Sequence, residues 1–155
     1  IAMETGASVK DVSAWVLGGH TEATMVPIVS NATVGGVPLT QLLAADRVQA
    51  VVARTQRGGA EIVELLKTGS AFVAPAAATI EMVDSILLDE QRILPCCVRL
   101  DGEYGIRDAY VGAPVLLGAG GIEIVYDIPL AADELAAMRK AGDAVKELVA
   151  ATPAG

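Results

Sequence analysis

The span from Arg92 to Leu130 constrains the fold more than any other part of the chain. Three β-rich runs, RILPCCVRL, AYVGAPVLLG and IEIVYDIPL, are separated only by DGEYGIRD and AGG. A parallel pair would need a crossover of a dozen or more residues, so turns this short force the runs into an antiparallel meander. More strand signal lies at the start. DVSAWVLGG and TMVPIVSNATVGGVPL are β-branched and apolar, punctuated by Gly18-Gly19, Pro27, Gly35-Gly36 and Pro38.

Between these two blocks the period changes. Val48, Val51 and Val52, then Ile62, Val63, Leu65 and Leu66, recur at helical spacing, with Asp46 as N-cap and a break at Gly58-Gly59. A second helix is predicted from about Ala74 to Leu88, with Ala76, Ile80, Val83 and Leu87 as its apolar face. Pro75 fits near its start, where a missing N–H costs little. Leu135, Met138, Ala141, Val145 and Leu148 mark a terminal helix opened by Asp133 and Glu134. Strands, helices, strands, helix make an α+β domain, with antiparallel strands and packed helices.

The chain has 155 residues, enough for one domain over 1–155 that buries roughly two-thirds of its unfolded surface. Hydrophobic residues are 53% of it but aromatics only 3%, so Ala, Val, Leu and Ile must build the core. A net charge of −8 without a basic patch argues against nucleic acid or an anionic membrane as partner. Each apolar run is broken well before the roughly 20 residues a bilayer span needs. No secretory signal is visible at the start, and a first residue other than Met suggests a processed or truncated chain. Cys96 and Cys97 are adjacent in a strand, so their side chains point to opposite faces and cannot staple to each other. Buried thiols in a reducing cytoplasm fit better than a redox or metal site, and no carboxylate pair has metal-binding spacing. The glycine pairs do not form a Gly-x-Gly-x-x-Gly fingerprint.

His20 is the sole histidine. By default such a residue is a surface or hydrogen-bonded core group. It stands, however, where a strand ends in flexible glycines, a usual place for a side chain that meets a ligand. Ser70, Ala71 and Pro75, in TGSAFVAPA, read by themselves as a helix-entry turn with small packing residues. Arg54 and Arg57 suit either an approaching anion or a solvated helix surface. Glu61, Glu64, Asp84, Asp89 and Glu90 read as solvated faces and ends.

VLGGHTEATMVP resembles the active-site segment of the lactate and malate dehydrogenases. The likeness continues through RTQRGGAEIVELLKTGSAFVAPAAATIEMVDSIL, RILPCCVRLDGEYGIRDAYVGAPVLLGAGGIE and the terminal helix, in family order over essentially the whole chain. LLKTGSA and LDGEYG are typical of the bacterial malate dehydrogenases of the lactate-dehydrogenase-like group. The resemblance implies the family's C-terminal domain and an NAD-dependent conversion of malate to oxaloacetate. His20 would take the hydroxyl proton as hydride leaves the neighbouring carbon, and return it in the reverse direction; imidazole, which titrates near neutrality, suits both roles. Ser70 and Ala71 would lie near the substrate and Pro75 near the nicotinamide, with no metal involved. It further implies a cytoplasmic homo-oligomer, dimer or tetramer.

The chain departs from the family pattern at two points. TEATMV puts six residues between His20 and Pro27, one more than is usual in that group and the spacing of the mitochondrial-type enzymes. The N-terminal Rossmann domain, with its glycine fingerprint and substrate arginines, is absent, as is the Leu-Asp-x-x-Arg segment expected just upstream of Ile1. A fragment inactive alone is the resulting expectation. Lactate or another 2-hydroxyacid is the alternative substrate, and a non-catalytic oligomerisation module is the alternative from another class.

Overall fold

The computed structural model describes residues 1–152, so the last three residues of the expected 1–155 domain lie outside the described part. A short helix α1 (Ala2–Thr5) and a 3-10 turn lead into β1 (Val12–Gly18), β2 (Met25–Val34) and β3 (Val37–Pro38). Helices α2 (Leu39–Leu42), α3 (Ala45–Gln56), α4 (Gly58–Leu66) and α5 (Val73–Leu87) follow. Then come β4 (Arg92–Asp101), β5 (Arg107–Gly118), β6 (Gly121–Val125) and α6 (Ala132–Ala151). The strands form one sheet in the order β3-β2-β1-β5-β4, with β6 also on β5, and every ladder is antiparallel. The α+β architecture expected from the meander is therefore the observed one.

Period-two patterning builds the main core. Leu94, Cys96, Val98 and Leu100 point inward from β4, opposite Ala109, Val111, Ala113, Val115 and Leu117 of β5. Met138 of α6 joins them, with Leu135, Ala137 and Val145 packed alongside. Each fully buried aliphatic side chain of this kind contributes roughly 1.5–3 kcal/mol. A smaller core forms where Ala32 of β2 meets Leu39 and Val48.

The two hairpin systems touch through a narrow seam: β1 pairs with β5 at Gly18↔Gly112. A Cβ on Gly112 would stand 3.1 Å from the Gly18 carbonyl oxygen, so a side chain here would push the strands apart. The seam sits at the base of the turn that carries His20.

Several local expectations are corrected. Asp46 is not the N-cap of α3; Ala44 holds that position and Asp46 lies in the first turn, where its charge complements the helix dipole. The predicted α5 face of Ala76, Ile80, Val83 and Leu87 is exposed, whereas Ser85 is buried and Met82 and Ile86 pack on the sheet. Ser85 determines that orientation: its hydroxyl donates to the Leu117 carbonyl at 2.6 Å, a bond available only on this side. The last run shortens to Gly121–Val125 as a strand, and Leu148 lies exposed beyond the buried part of α6. Of the paired thiols only Cys96 is buried; Cys97 faces outward. No helix among the described residues is long and apolar enough to cross a membrane.

Candidate functional site

His20 sits at the exposed tip between β1 and β2. The loop is closed from below by hydrogen bonds rather than by packing. Gly19 N–H donates to the Thr24 carbonyl at 2.8 Å, and Thr24 and Met25 N–H both donate to the Thr21 carbonyl, at 2.9 and 2.8 Å. Thr21 N–H donates to Thr24 Oγ1 at 3.1 Å, and the two hydroxyls meet at 2.7 Å. Glu22 and Thr21 thus belong to a tight turn that holds the imidazole away from the core.

The glycines before it are a steric requirement. Gly18 has φ +81°, and a Cβ there would stand 2.6 Å from the Thr24 carbonyl oxygen. A Cβ on Gly19 would meet Thr24 Oγ1 at 2.3 Å. The base of the loop is further tied to α3, because Gln56 Nε2 donates to the Met25 carbonyl at 3.2 Å. The helical block that leads to the TGSAFVAPA segment is in this way fastened beside the start of β2.

Ser70 and Ala71 occupy the connection between α4 and α5, Ser70 exposed and Ala71 half-buried. The Ser70 carbonyl accepts from Phe72 N–H at 2.8 Å, a tight helix-entry turn. Pro75 lies exposed in the first turn of α5. None of these residues, nor His20, lines either of two clefts of about 390 and 500 Å³ formed elsewhere. Around the segment lies apolar surface: Leu65 is 75% exposed, Phe72 64%, Ile80 59% and Leu87 75%. Large apolar side chains exposed at several positions of α4 and α5 are the material of which partner surfaces are made.

Arg54 is not a free anion site, since it donates to both Glu61 oxygens at 3.0 and 2.7 Å. That pairing holds the Glu61 carboxyl below its usual range, the Arg54 hydrogen bond being the chief cause. Arg57 stands 3.9 Å from Glu64. Asp89, expected to be merely solvated, accepts Ala119 N–H at 2.9 Å and Gln91 Nε2 at 2.8 Å. Those bonds lower its carboxyl in the same order of importance. Burial pushes the Cys96 thiol up, with the neighbouring Cys97 adding to it, and so makes Cys96 a poor nucleophile.

Sequence reasoning missed Glu134 as more than a helix-opening acid. It is buried, and its carboxylate accepts donors from β2 as well as from its own helix. An acidic residue three places beyond Ala131 gives half a capping-box signal, but nothing local announces partners about a hundred residues away.

The model of the lactate/malate dehydrogenase alpha/beta C-terminal domain matches residues 1–152. A malate dehydrogenase of Roseiflexus sp. strain RS-1 is 49% identical over 154 residues, 99% of this chain and 50% of that protein. One from Heliobacterium modesticaldum is 52% identical over 152 residues, 98% of this chain and 49% of that protein. Among solved structures, the malate dehydrogenase of Salinibacter ruber superposes with a TM-score of 0.91 at 46% identity, covering 96% of this chain and 48% of that one. A Cryptosporidium parvum lactate dehydrogenase complexed with lactic acid and nicotinamide adenine dinucleotide gives a TM-score of 0.91 at 31% identity, covering 98% of this chain and 50% of that one. The chain spans about half the length of these relatives.

Proposed function

The chain belongs to the lactate/malate dehydrogenase family, and from that premise we propose that it is the catalytic and substrate domain, 1–155, of an NAD-dependent malate dehydrogenase. The observation that carries this reading is the family-matched Gly-Gly-His tip: the sole imidazole is presented to solvent on a loop that glycine sterics and five backbone and hydroxyl bonds hold in one conformation. Identities of 38–52% to malate dehydrogenases, against 30–32% to lactate dehydrogenases, favour malate and oxaloacetate over lactate.

The chain's own part is proton handling and shaping of the substrate site. His20 takes the proton from the substrate hydroxyl in oxidation and returns it to the carbonyl in reduction. Ser70 and Ala71 bound the substrate, their small side chains leaving room for a second carboxylate, and Pro75 packs toward the nicotinamide. The coenzyme itself does not fit the described residues alone. With every ladder antiparallel they contain no βαβ unit to cradle a dinucleotide. The proposal therefore includes a coenzyme-binding half that supplies that cradle, together with the arginines that fix the carboxylates and an aspartate that orients the imidazole. It extends to a homo-oligomer in the cytoplasm.

The test follows NADH absorbance with malate or oxaloacetate, first with the chain alone and then with a coenzyme-binding domain of the same family added. Turnover in the mixture and none alone is expected. Turnover by the chain alone, or binding of NAD by it, refutes the division of labour. Silence in both arms, with stable association between the two, moves the reading to a non-catalytic assembly module, which the exposed apolar surface of α4 and α5 also suits.

A further inference from the structure

Glu134 has no part in the proposed chemistry, yet it is the most heavily hydrogen-bonded ionisable group in the described chain. It is 8% exposed, in the first turn of α6. One carboxylate oxygen accepts Val29 N–H at 2.8 Å and Ser30 N–H at 2.9 Å; the other accepts the Ser30 hydroxyl and Ala131 N–H at 3.0 Å. No Lys or Arg among the described residues pairs with it. A buried charge held by neutral donors alone is tolerable only while every donor stays in place.

Two of the donors share a reason to be there. β1 advances from Ser13 to Trp15 while β2 advances from Thr33 to Ile28, so Val29–Ala32 stand opposite Ala14 as a large bulge. A bulge takes backbone N–H groups off the ladder, and buried N–H groups need another acceptor. Glu134 is that acceptor. The bulge is also where β2 passes from one core to the other: Val26 and Ile28 belong to the main core, Ala32 to the small one with Leu39 and Val48.

We propose that the Glu134 carboxylate is a latch: as an anion it fixes the β2 bulge and holds the small-core unit, residues 29–56, against the main body, and on taking up one proton it lets that unit open while the β4–β5 sheet stays folded. Protonation removes the charge that strengthens all four bonds, and the new O–H finds an acceptor only if the Ser30 hydroxyl reverses its bond to the carboxyl. Of the residues lining the cleft beside Glu134, β2 contributes no ionisable group, α3 contributes only Gln49, Val52 and Gln56, and α6 adds Asp133. Of the two carboxylates lining that cleft, Glu134 is the one that accepts hydrogen bonds from β2. Burial pushes its carboxyl up, but the bonds from Ser30, Ala131 and Val29 outweigh this and hold it below the usual range. A depressed folded-state value means that the stabilisation is present above the unfolded carboxylate pKa and disappears as pH falls through the folded one. The opening accordingly belongs to acid below the ordinary carboxylate range.

The experiment is residue-resolved amide hydrogen exchange on the chain, with protection corrected for intrinsic rates. In Glu134→Gln at neutral pH, where an amide NH₂ permanently replaces one acceptor, protection at 29–32 and 39–56 should fall about 10- to 100-fold while that at 94–100 and 111–117 holds. Unchanged protection, or an equal fall throughout, overturns the latch. The wild-type chain gives an independent reading should the variant not fold. Stepped from pH 7 into acid, it should lose protection at 29–56 before 94–117, and a single cooperative loss at all sites overturns the proposal.

Discussion

Gly18→Ala is the sharpest test of how the histidine loop is built. At φ +81° an L-residue is strained by roughly 1–2 kcal/mol. The new methyl would also sit 2.6 Å from the Thr24 carbonyl oxygen, 2.9 Å from Val26 Cγ2 and 3.4 Å from Ala141 Cβ, an overpacking of about 1–3 kcal/mol. Stiffening the unfolded chain returns about 0.4–1 kcal/mol. The net loss is about 1–5 kcal/mol out of a domain stability of about 5–15 kcal/mol, which lowers Tm by roughly 2–18 °C for a chain of this size. Gly19→Ala separates backbone from side-chain obstruction. Its three nearest neighbours are all Thr24 side-chain atoms, at 2.3, 2.6 and 3.5 Å, so Thr24→Gly should rescue it with a coupling of at least about 1 kcal/mol. The same partner change should leave Gly18→Ala unrescued, because the carbonyl it strikes remains whatever side chain stands at 24. Urea unfolding of the two double-mutant cycles measures both. A Gly18→Ala chain within about 0.5 kcal/mol of wild type, or one rescued by Thr24→Gly, refutes this account of the loop.

Joined to a coenzyme-binding half, His20→Asn should retain coenzyme affinity and lose roughly 10²- to 10⁴-fold in kcat, the span expected for an acid–base residue; near-normal malate oxidation removes His20 from the proposed mechanism. Ser85→Ala should cost about 1–3 kcal/mol in urea unfolding, because it strips the Leu117 carbonyl and Arg92 N–H of a buried partner; a neutral result would mean that α5 is not docked through this hydroxyl. A thiol reagent should label one cysteine per native chain, Cys97, and the second only in denaturant; two fast thiols in the native state contradict the burial of Cys96. The chain alone should self-associate through α4 and α5 as concentration rises; light scattering from a stable monomer at high concentration counts against that face as a docking surface.

What the sequence discloses is what short-range periodicity and turn length determine. The alternation Leu94, Cys96, Val98, Leu100 and the brevity of DGEYGIRD suffice for β4 and β5 and for their antiparallel sense. The Gly18-Gly19 pair likewise announces a loop, and the structure supplies the reason for both glycines in the position of Thr24. Periodicity fails in α5, where Ile80, Val83 and Leu87 on one side and Met82 and Ile86 on the other are both apolar. A helix with apolar residues on two faces does not identify its inner one by pattern, and here a hydroxyl, Ser85, decides it. Glu134 escapes for another reason. Its partners Val29 and Ser30 exist as free donors only because β2 bulges, a property of the pairing with β1 rather than of either strand's own residues.

The helix whose inner face sequence patterning misassigned and the exposed histidine at the β1–β2 tip raise the same requirement. A helix with two apolar faces has one too many for a single core, and α5 spends only the Met82–Ser85–Ile86 side on its own sheet. An acid–base residue works best where water is excluded and its orientation is fixed, whereas His20 stands at an exposed tip with its orientation set by backbone alone. One covering body meets both demands if it lies across α4 and α5 and reaches the β1–β2 tip, which Gln56 ties to the end of α3. Under the proposed function that body is the coenzyme-binding half. The apolar faces would supply the association, and closure over His20 would exclude the water, so mutations that weaken the docking of Leu65 or Leu87 should lower turnover without touching a group that handles the proton.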